Sequence, residues 1–442
     1  MRKIDVSALL DTAVFNSFHA RVMLWCALII IFDGYDLIIY GVVLPTLMET
    51  WSLTALQAGI LGSFALVGMM LGALFFGPLS DRIGRRKTIM FCVVLFSSVT
   101  VINGFVSTPE QFAACRFIAG LGIGGVMPNV VALMNEYAPK KRRSTLVAIM
   151  FSGYSLGGIL ATVLGMLLMP TWGWSSVFYF AVVPLLLLPF LILQLPESIN
   201  FLIRKGKTAQ AQVLLAKAAP DYQPHPDDQL VIAQALENKA TIPQLFQEGR
   251  AVNTLMLWIA FFCSLLMVYA LSAWLPKLMI GAGYGLNSSL AFLLVLNAGA
   301  ILGAIGGGWL GDRVGIERVL LGFFITGALA LSLLALKSPI LVLYLLIAVA
   351  GACTIGTQIL ANACAAQFYP AHIRSTGIGW ALGIGRVGAI IGPVIGGSLV
   401  AAQLPIQTSF LAFAIPGAVG AVAMLVFLLK GPNPSRFALK TV

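Results

Sequence analysis

The sequence predicts an all-α polytopic membrane protein, with twelve transmembrane helices in two pseudo-symmetric six-helix halves. Three observations predict it. Of the 442 residues, 59% are hydrophobic and only 10% are charged, a balance foreign to water-soluble domains. Apolar runs recur along the whole chain, each near the roughly 20 residues that a helix needs to cross a bilayer. Finally, the chain repeats itself at a constant offset of 231 residues. The runs are continuous rather than alternating at period two, which argues against a β-barrel.

The spans are expected near 22–48, 57–79, 88–107, 111–136, 145–169 and 174–195 in the first half. Those of the second half are expected near 254–277, 289–311, 318–337, 340–368, 375–402 and 408–430. Residues 1–195 and 254–442 are read as the two helical bundles. Between them, 196–253 is a polar stretch, read as a cytoplasmic linker with some surface helix. Residues 1–21 are polar and mildly basic, which reads as a cytoplasmic tail rather than a signal peptide.

The formal charge of +11 does not point to nucleic acid, because the cations are not spread over one soluble face. With the N-terminus inside, 23 of the 27 Lys and Arg residues fall in cytoplasmic segments. Lys277 and Lys337 fall outside, and Arg116 and Arg386 fall within spans. This is the positive-inside pattern. It places both termini in the cytoplasm; the expected location is a bacterial inner membrane. The six cysteines lie in or beside spans and form no C-x-x-C pair, so they read as small apolar residues. His19, His225 and His372 are too scattered to hold a metal. No nucleophile–base pair or nucleotide loop appears, so neither an enzyme nor a cofactor is expected.

The costliest residues sit in the first span, at Phe32-Asp33-Gly34-Tyr35-Asp36. A charged carboxylate at mid-membrane costs about 2.5–3.5 kcal/mol on insertion scales and is by default functional. The i, i+3 spacing puts Asp33 and Asp36 on one helical face, and Tyr40 continues it one turn on. Such a face is expected to look into a water-filled cavity or an ion pathway; the rival reading is a pair that only fixes helix packing.

The repeat aligns Leu44-Pro45-x-Leu47-Met48 with Leu275-Pro276-x-Leu278-Met279. It also aligns Arg143-Ser144-Thr145 with Arg374-Ser375-Thr376. Two parallel six-helix repeats are a transporter architecture, with the expected site at the midplane between them. At the same offset Asp33 and Asp36 meet Ser264 and Met267, and Arg386 meets Ser155. Scaffold is duplicated, whereas a proton or substrate site need occur once.

Gly77-Pro78-Leu79-Ser80-Asp81-Arg82-Ile83-Gly84-Arg85-Arg86-Lys87 resembles the loop signature between helices two and three of the major facilitator superfamily. A weaker copy contains Asp312 and Arg313. Glycines allow close approach and a tight turn. Asp81 is expected to cap the next helix or pair with a cation, and the basic cluster pins the loop at the cytoplasmic face. Gly77, Asp81, Arg82, Gly84, Arg85, Asp312 and Arg313 are therefore expected to gate and hold conformation rather than touch substrate.

Asp33-Gly-x-Asp36, together with Met127-Pro128-Asn129 and Asn135-Glu136-Tyr137-Ala138-Pro139, resembles the aromatic acid:proton symporter family. That resemblance implies import of benzoate, hydroxybenzoates or related aromatic acids with protons. It also implies the major facilitator fold. Arg116, ahead of Gly120-x-Gly122-x-Gly124-Gly125, resembles the superfamily's helix-four arginine, often tied to proton coupling. Asp33, Asp36, Arg116 and Glu136 are the proton-coupling candidates. Glu136 reads as a proton exit, a gate pair with Lys140–Arg143, or a plain interfacial ion pair.

Arg386 lies mid-span between Gly383, Gly385 and Gly388. A buried guanidinium needs an anion or several carbonyls, and its planar fork matches a carboxylate. It is the candidate for the substrate carboxylate; the rival reading pairs it with Asp33 or Asp36. Gln358 and Asn362, at i, i+4 on one face, and Asn129 are polar candidates for recognition. Tyr40 and Trp380 are candidates to stack on a ring. The expected partners are a small aromatic carboxylate, protons and lipid, with no nucleic acid, in a monomer. Two rival functions remain: an organic-anion exchanger or exporter without net proton coupling, and a non-transporting aromatic-acid sensor.

Overall fold

The computed structural model describes residues 2–225, 228–231, 242–336, 338–370 and 373–430. Lys239, Lys337, His372 and the cations of the C-terminal tail beyond Lys430 lie outside them. Among the described residues, twelve helices are long and apolar enough to cross a membrane. The chain divides into two compact units, Met1–Ala235 and Leu236–Val442.

The first unit begins with a short strand, β1 (Arg2–Asp5), and a short helix, α1 (Val6–Thr12). Five long helices follow: α2 (Ser17–Thr50), α3 (Ala55–Ile83), α4 (Arg85–Asn103), α5 (Pro109–Tyr137) and α6 (Arg143–Trp172). The predicted sixth span is interrupted. It comprises α7 (Ser175–Tyr179), a 3₁₀ turn at Phe180–Val182 and α8 (Val183–Gln194), with Pro184 in the first turn of α8, where a proline's missing N–H costs no helical bond. Two linker helices, α9 (Ile199–Arg204) and α10 (Thr208–Ala218), and a strand, β2 (Asp228–Val231), complete the unit.

Local chemistry sets these boundaries. Asn16 caps α2 by accepting from the Phe18 and His19 N–H groups, which is why that helix starts five residues before the apolar run. Thr54 and Gln57 form a capping box at the start of α3. Gly84 stops α3 at φ +102°, a conformation that side chains disfavour. Asp81 does not cap α4, whose N-terminus carries no side-chain cap.

Helix α2 packs on α6, α3 on α5, and α4 on both α5 and α8. Gly34 lets α2 and α6 touch backbone to backbone: a Cβ there would lie 2.1 Å from the Tyr154 carbonyl oxygen. The strands pair in parallel, Arg2 opposite Asp228 through Asp5 opposite Val231. Arg143 fastens the same tail, reaching Asp11 at 2.6 Å.

The second unit holds a 3₁₀ turn at Ile242–Phe246, then α11 (Ala251–Gly281), α12 (Leu286–Val314), α13 (Ile316–Leu333), α14 (Ile340–Phe368), α15 (Arg374–Ala401) and α16 (Ile406–Lys430). Its internal packing repeats that of the first: α11 on α15, α12 on α14, and α13 on both α14 and α16. The sequence repeat is thus a repeat of packing partners.

Candidate functional site

In the first unit, α2 and α5 bring Asp36 and Arg116 together. An Arg116 terminal nitrogen donates to Asp36 Oδ2 at 3.0 Å, and the other donates to the Asp36 backbone carbonyl at 2.9 Å. Both side chains are 2% exposed. The second carboxylate oxygen, Oδ1, accepts from Thr100 Oγ1 of α4 at 2.6 Å. Three helices therefore converge on one carboxylate. Burial makes the arrangement exacting, because a lone charge stranded there would be costly. Asp33, one turn earlier on α2, is fully buried.

Sequence reasoning did not single out Thr100. Its signal was a hydroxyl in an apolar span, which is weak because such hydroxyls commonly bond their own helix. Sequence reasoning named Asp36 and Arg116 separately as proton-coupling candidates and did not pair them; within the first unit they form an ion pair.

Glu136, at the end of α5, gathers a second cluster. It accepts from Arg85 at 2.6 Å, from the Ser198 hydroxyl at 2.7 Å and from the Asn200 N–H at 2.9 Å. Its partner is thus Arg85, while Arg143 of the expected basic run goes to Asp11. Glu197 flanks it, accepting from the Arg86 N–H at 3.1 Å and from the Ser198 N–H at 2.9 Å. Sequence reasoning missed Glu197; a carboxylate directly after the sixth span, facing a basic loop, was the available signal. Gly77 is half-buried, and Asp81 and Arg82 are exposed, as are Asp312 and Arg313. Arg313 lies over the Trp309 ring at 3.8 Å.

The recognition candidates are dispersed. Tyr40 is buried; its hydroxyl donates to the Ala58 carbonyl and its ring lies 6.2 Å from Phe112, so it is engaged in packing within the first unit. Asn129 is buried and bonds back to the Gly125 carbonyl of its own helix at 2.8 Å. Asn362 likewise bonds to the Gln358 carbonyl at 3.0 Å, and both residues are half-buried. Trp380 is 40% exposed and stacks on Trp258 at 5.9 Å. In the second unit, half-buried Arg386 on α15 donates to the Tyr269 hydroxyl of α11 at 3.4 Å. The described residues contain no His, Cys, Asp or Glu cluster able to hold a metal.

Comparison with known proteins is consistent with this architecture. The Major Facilitator Superfamily model matches residues 26–315 and 295–441. A benzoate transport protein of Acinetobacter baylyi is 49% identical, over 97% of this chain and 93% of its own length. A 4-hydroxybenzoate transporter, PcaK, of Pseudomonas aeruginosa is 33% identical, over 98% of this chain and 96% of its own length. Among solved structures, the xylose transporter XylE from E. coli superposes with a TM-score of 0.71 at 18% identity. That match covers 94% of this chain and all of the other, and speaks to the fold alone. The chain belongs to the aromatic-acid transporter family of the major facilitator superfamily.

Proposed function

We propose that this protein is a proton-coupled importer of an aromatic carboxylate, with benzoate as the first substrate. The observation that carries the substrate class is the 49% identity, over nearly the whole chain, to a benzoate transport protein. The buried Asp36–Arg116 pair supports the coupling. A proton taken up on Asp36 would cancel its charge and loosen the hold of Arg116, and Asp33 one turn away would share that proton's route. Asp33 and Arg116 thus keep coupling roles in this reading.

Arg386 supplies the positive charge for the substrate carboxylate, and its distance from the Tyr269 hydroxyl gives it a neutral neighbour to orient it. Gln358, Asn362, Asn129, Tyr40 and Trp380 follow as secondary candidates for recognition. Glu136 and Arg85, with Gly77, Asp81, Arg82 and Gly84 around them, would serve conformational control at the cytoplasmic face, as would Asp312 and Arg313 in the second repeat. Residues 1–195 and 254–442 act as the two bundles in a monomer of the inner membrane, with both termini and the 196–253 linker cytoplasmic. The 23 cations on that side support this orientation.

The test is competition against uptake of labelled benzoate. Unlabelled benzoate and 4-hydroxybenzoate should compete, whereas benzamide, which keeps the ring but lacks the carboxylate, should not. Equal competition by benzamide would remove the charge-recognition role of Arg386.

A further inference from the structure

A pocket of about 480 Å³ opens in the first unit between the start of α2, the end of α8 and the linker helix α10. Three cations line it: Arg21, Arg86 and Lys217. Apolar side chains, among them Phe18, Leu193 and Val213, line it as well. Its walls are fastened to one another. The Asn16 side-chain amide donates to the Lys217 carbonyl at 3.1 Å and to the Ala218 carbonyl at 3.3 Å, which ties α2 to α10. The Trp25 indole donates to Gln194 Oε1 at 3.1 Å, which ties α2 to α8.

The one acid in the wall, Glu197, has an oxygen committed to the Arg86 and Ser198 N–H groups. Three cations against this one carboxylate leave the local charge positive. Arg86 donates through a terminal nitrogen to the Ile192 carbonyl, while its Nε is buried with no hydrogen-bond partner. Together, the Arg21, Arg86 and Lys217 side chains in the lining favour an anionic oxygen in this pocket.

We propose that this pocket is a binding site for the phosphate headgroup of an anionic phospholipid. Position decides for a lipid over a soluble anion. The pocket sits at the end of a membrane-spanning helix, and on the orientation proposed above it faces the anionic inner leaflet. From its mouth, an apolar track continues along α8 through Leu193, Phe190 and Leu186, which are 81%, 54% and 66% exposed. A phosphate at the cations would thus leave its acyl chains on apolar surface. The lipid would pin the linker helix α10 to the membrane face.

The experiment is native mass spectrometry of the purified full chain, titrated with phosphatidylglycerol, phosphatidylcholine or inorganic phosphate. The wild type should retain phosphatidylglycerol in preference to phosphatidylcholine. Each cation lining the pocket is worth about a factor of five toward the headgroup phosphate it faces, so Arg21→Gln/Lys217→Gln should weaken retention roughly 10–30-fold. Lys140→Gln/Lys141→Gln, which removes the same charge elsewhere on this face, should leave retention unchanged. Equal loss in both double variants would reduce the effect to general surface charge and overturn the site. Displacement of the lipid by millimolar inorganic phosphate would make it a soluble-anion site and overturn the lipid reading. Retention unchanged in the Arg21/Lys217 variant would overturn it outright. None of these outcomes depends on benzoate uptake, so this proposal and the transport reading fail independently.

Discussion

Removing Arg116 should strand Asp36. In Arg116→Met, two bonds of 3.0 and 2.9 Å are lost at a position where both side chains are 2% exposed. Only the Thr100 hydroxyl then remains among the donors to the side chain described above. Breaking one member of such a buried pair costs about 3–5 kcal/mol. Replacing both members by apolar groups of similar size should not, since the desolvation penalty disappears with the charges. Arg116→Met/Asp36→Leu should therefore recover most of the loss, giving a coupling energy of about 2 kcal/mol or more. The assay is reversible unfolding in mixed micelles, followed by tryptophan fluorescence, for both single variants and the double. Both the single and double variants should be inactive in uptake. If the two single losses simply add in the double variant, the pair is not energetically coupled and the reasoning fails.

Other expectations follow from the same structure. Gly34→Ala places a methyl 2.1 Å from the Tyr154 backbone oxygen, where no side chain can give way. It should sharply lower the yield of monodisperse protein on gel filtration, and a normal yield with unchanged melting would refute the α2–α6 contact. Arg386→Lys keeps the charge but loses the planar fork; loss of about 1.5 kcal/mol from one charge-assisted bond should raise the KM for benzoate roughly tenfold, with turnover largely retained. An unchanged KM would remove Arg386 from substrate binding. Outside the membrane, burial pushes the Asp228 carboxyl up, but the Tyr222 hydroxyl, the His225 N–H and the nearby Arg2 together hold it below its ordinary 3.8. Its stabilisation of the β1–β2 pair is thus complete above that value and is lost as pH falls through the lower folded value. Hydrogen exchange of Arg2–Asp5 should report this; loss of protection already near neutral pH would contradict it.

The membrane fold was largely legible because its determinants are compositional. The tenth span was expected at 340–368 and is found as Ile340–Phe368, since apolar length alone defines it. The repeat offset anticipated equivalent packing partners in the two units. The β1–β2 pair was not legible: it joins polar segments more than 220 residues apart and has no hydrophobic pattern. The sixth span's division into α7, a 3₁₀ turn and α8 was hidden within one continuous apolar run. At the site, burial cost pointed to Asp36 and Arg116 separately, but 80 residues part them and nothing in the sequence joins them. Arg85 as the partner of Glu136 was hidden in the same way, because the nearer Lys140–Arg143 run offered an equally charged alternative. Thr100 carried too common a signature to stand out.

The central claim is coupling, and uptake of labelled benzoate into proteoliposomes tests it most directly. The wild type and Asp36→Asn would be compared with and without an acid-outside pH gradient. The account predicts gradient-dependent accumulation in the wild type. In Asp36→Asn it predicts benzoate equilibration at most, with no accumulation. Accumulation by Asp36→Asn equal to wild type, or wild-type uptake indifferent to the gradient, would contradict it.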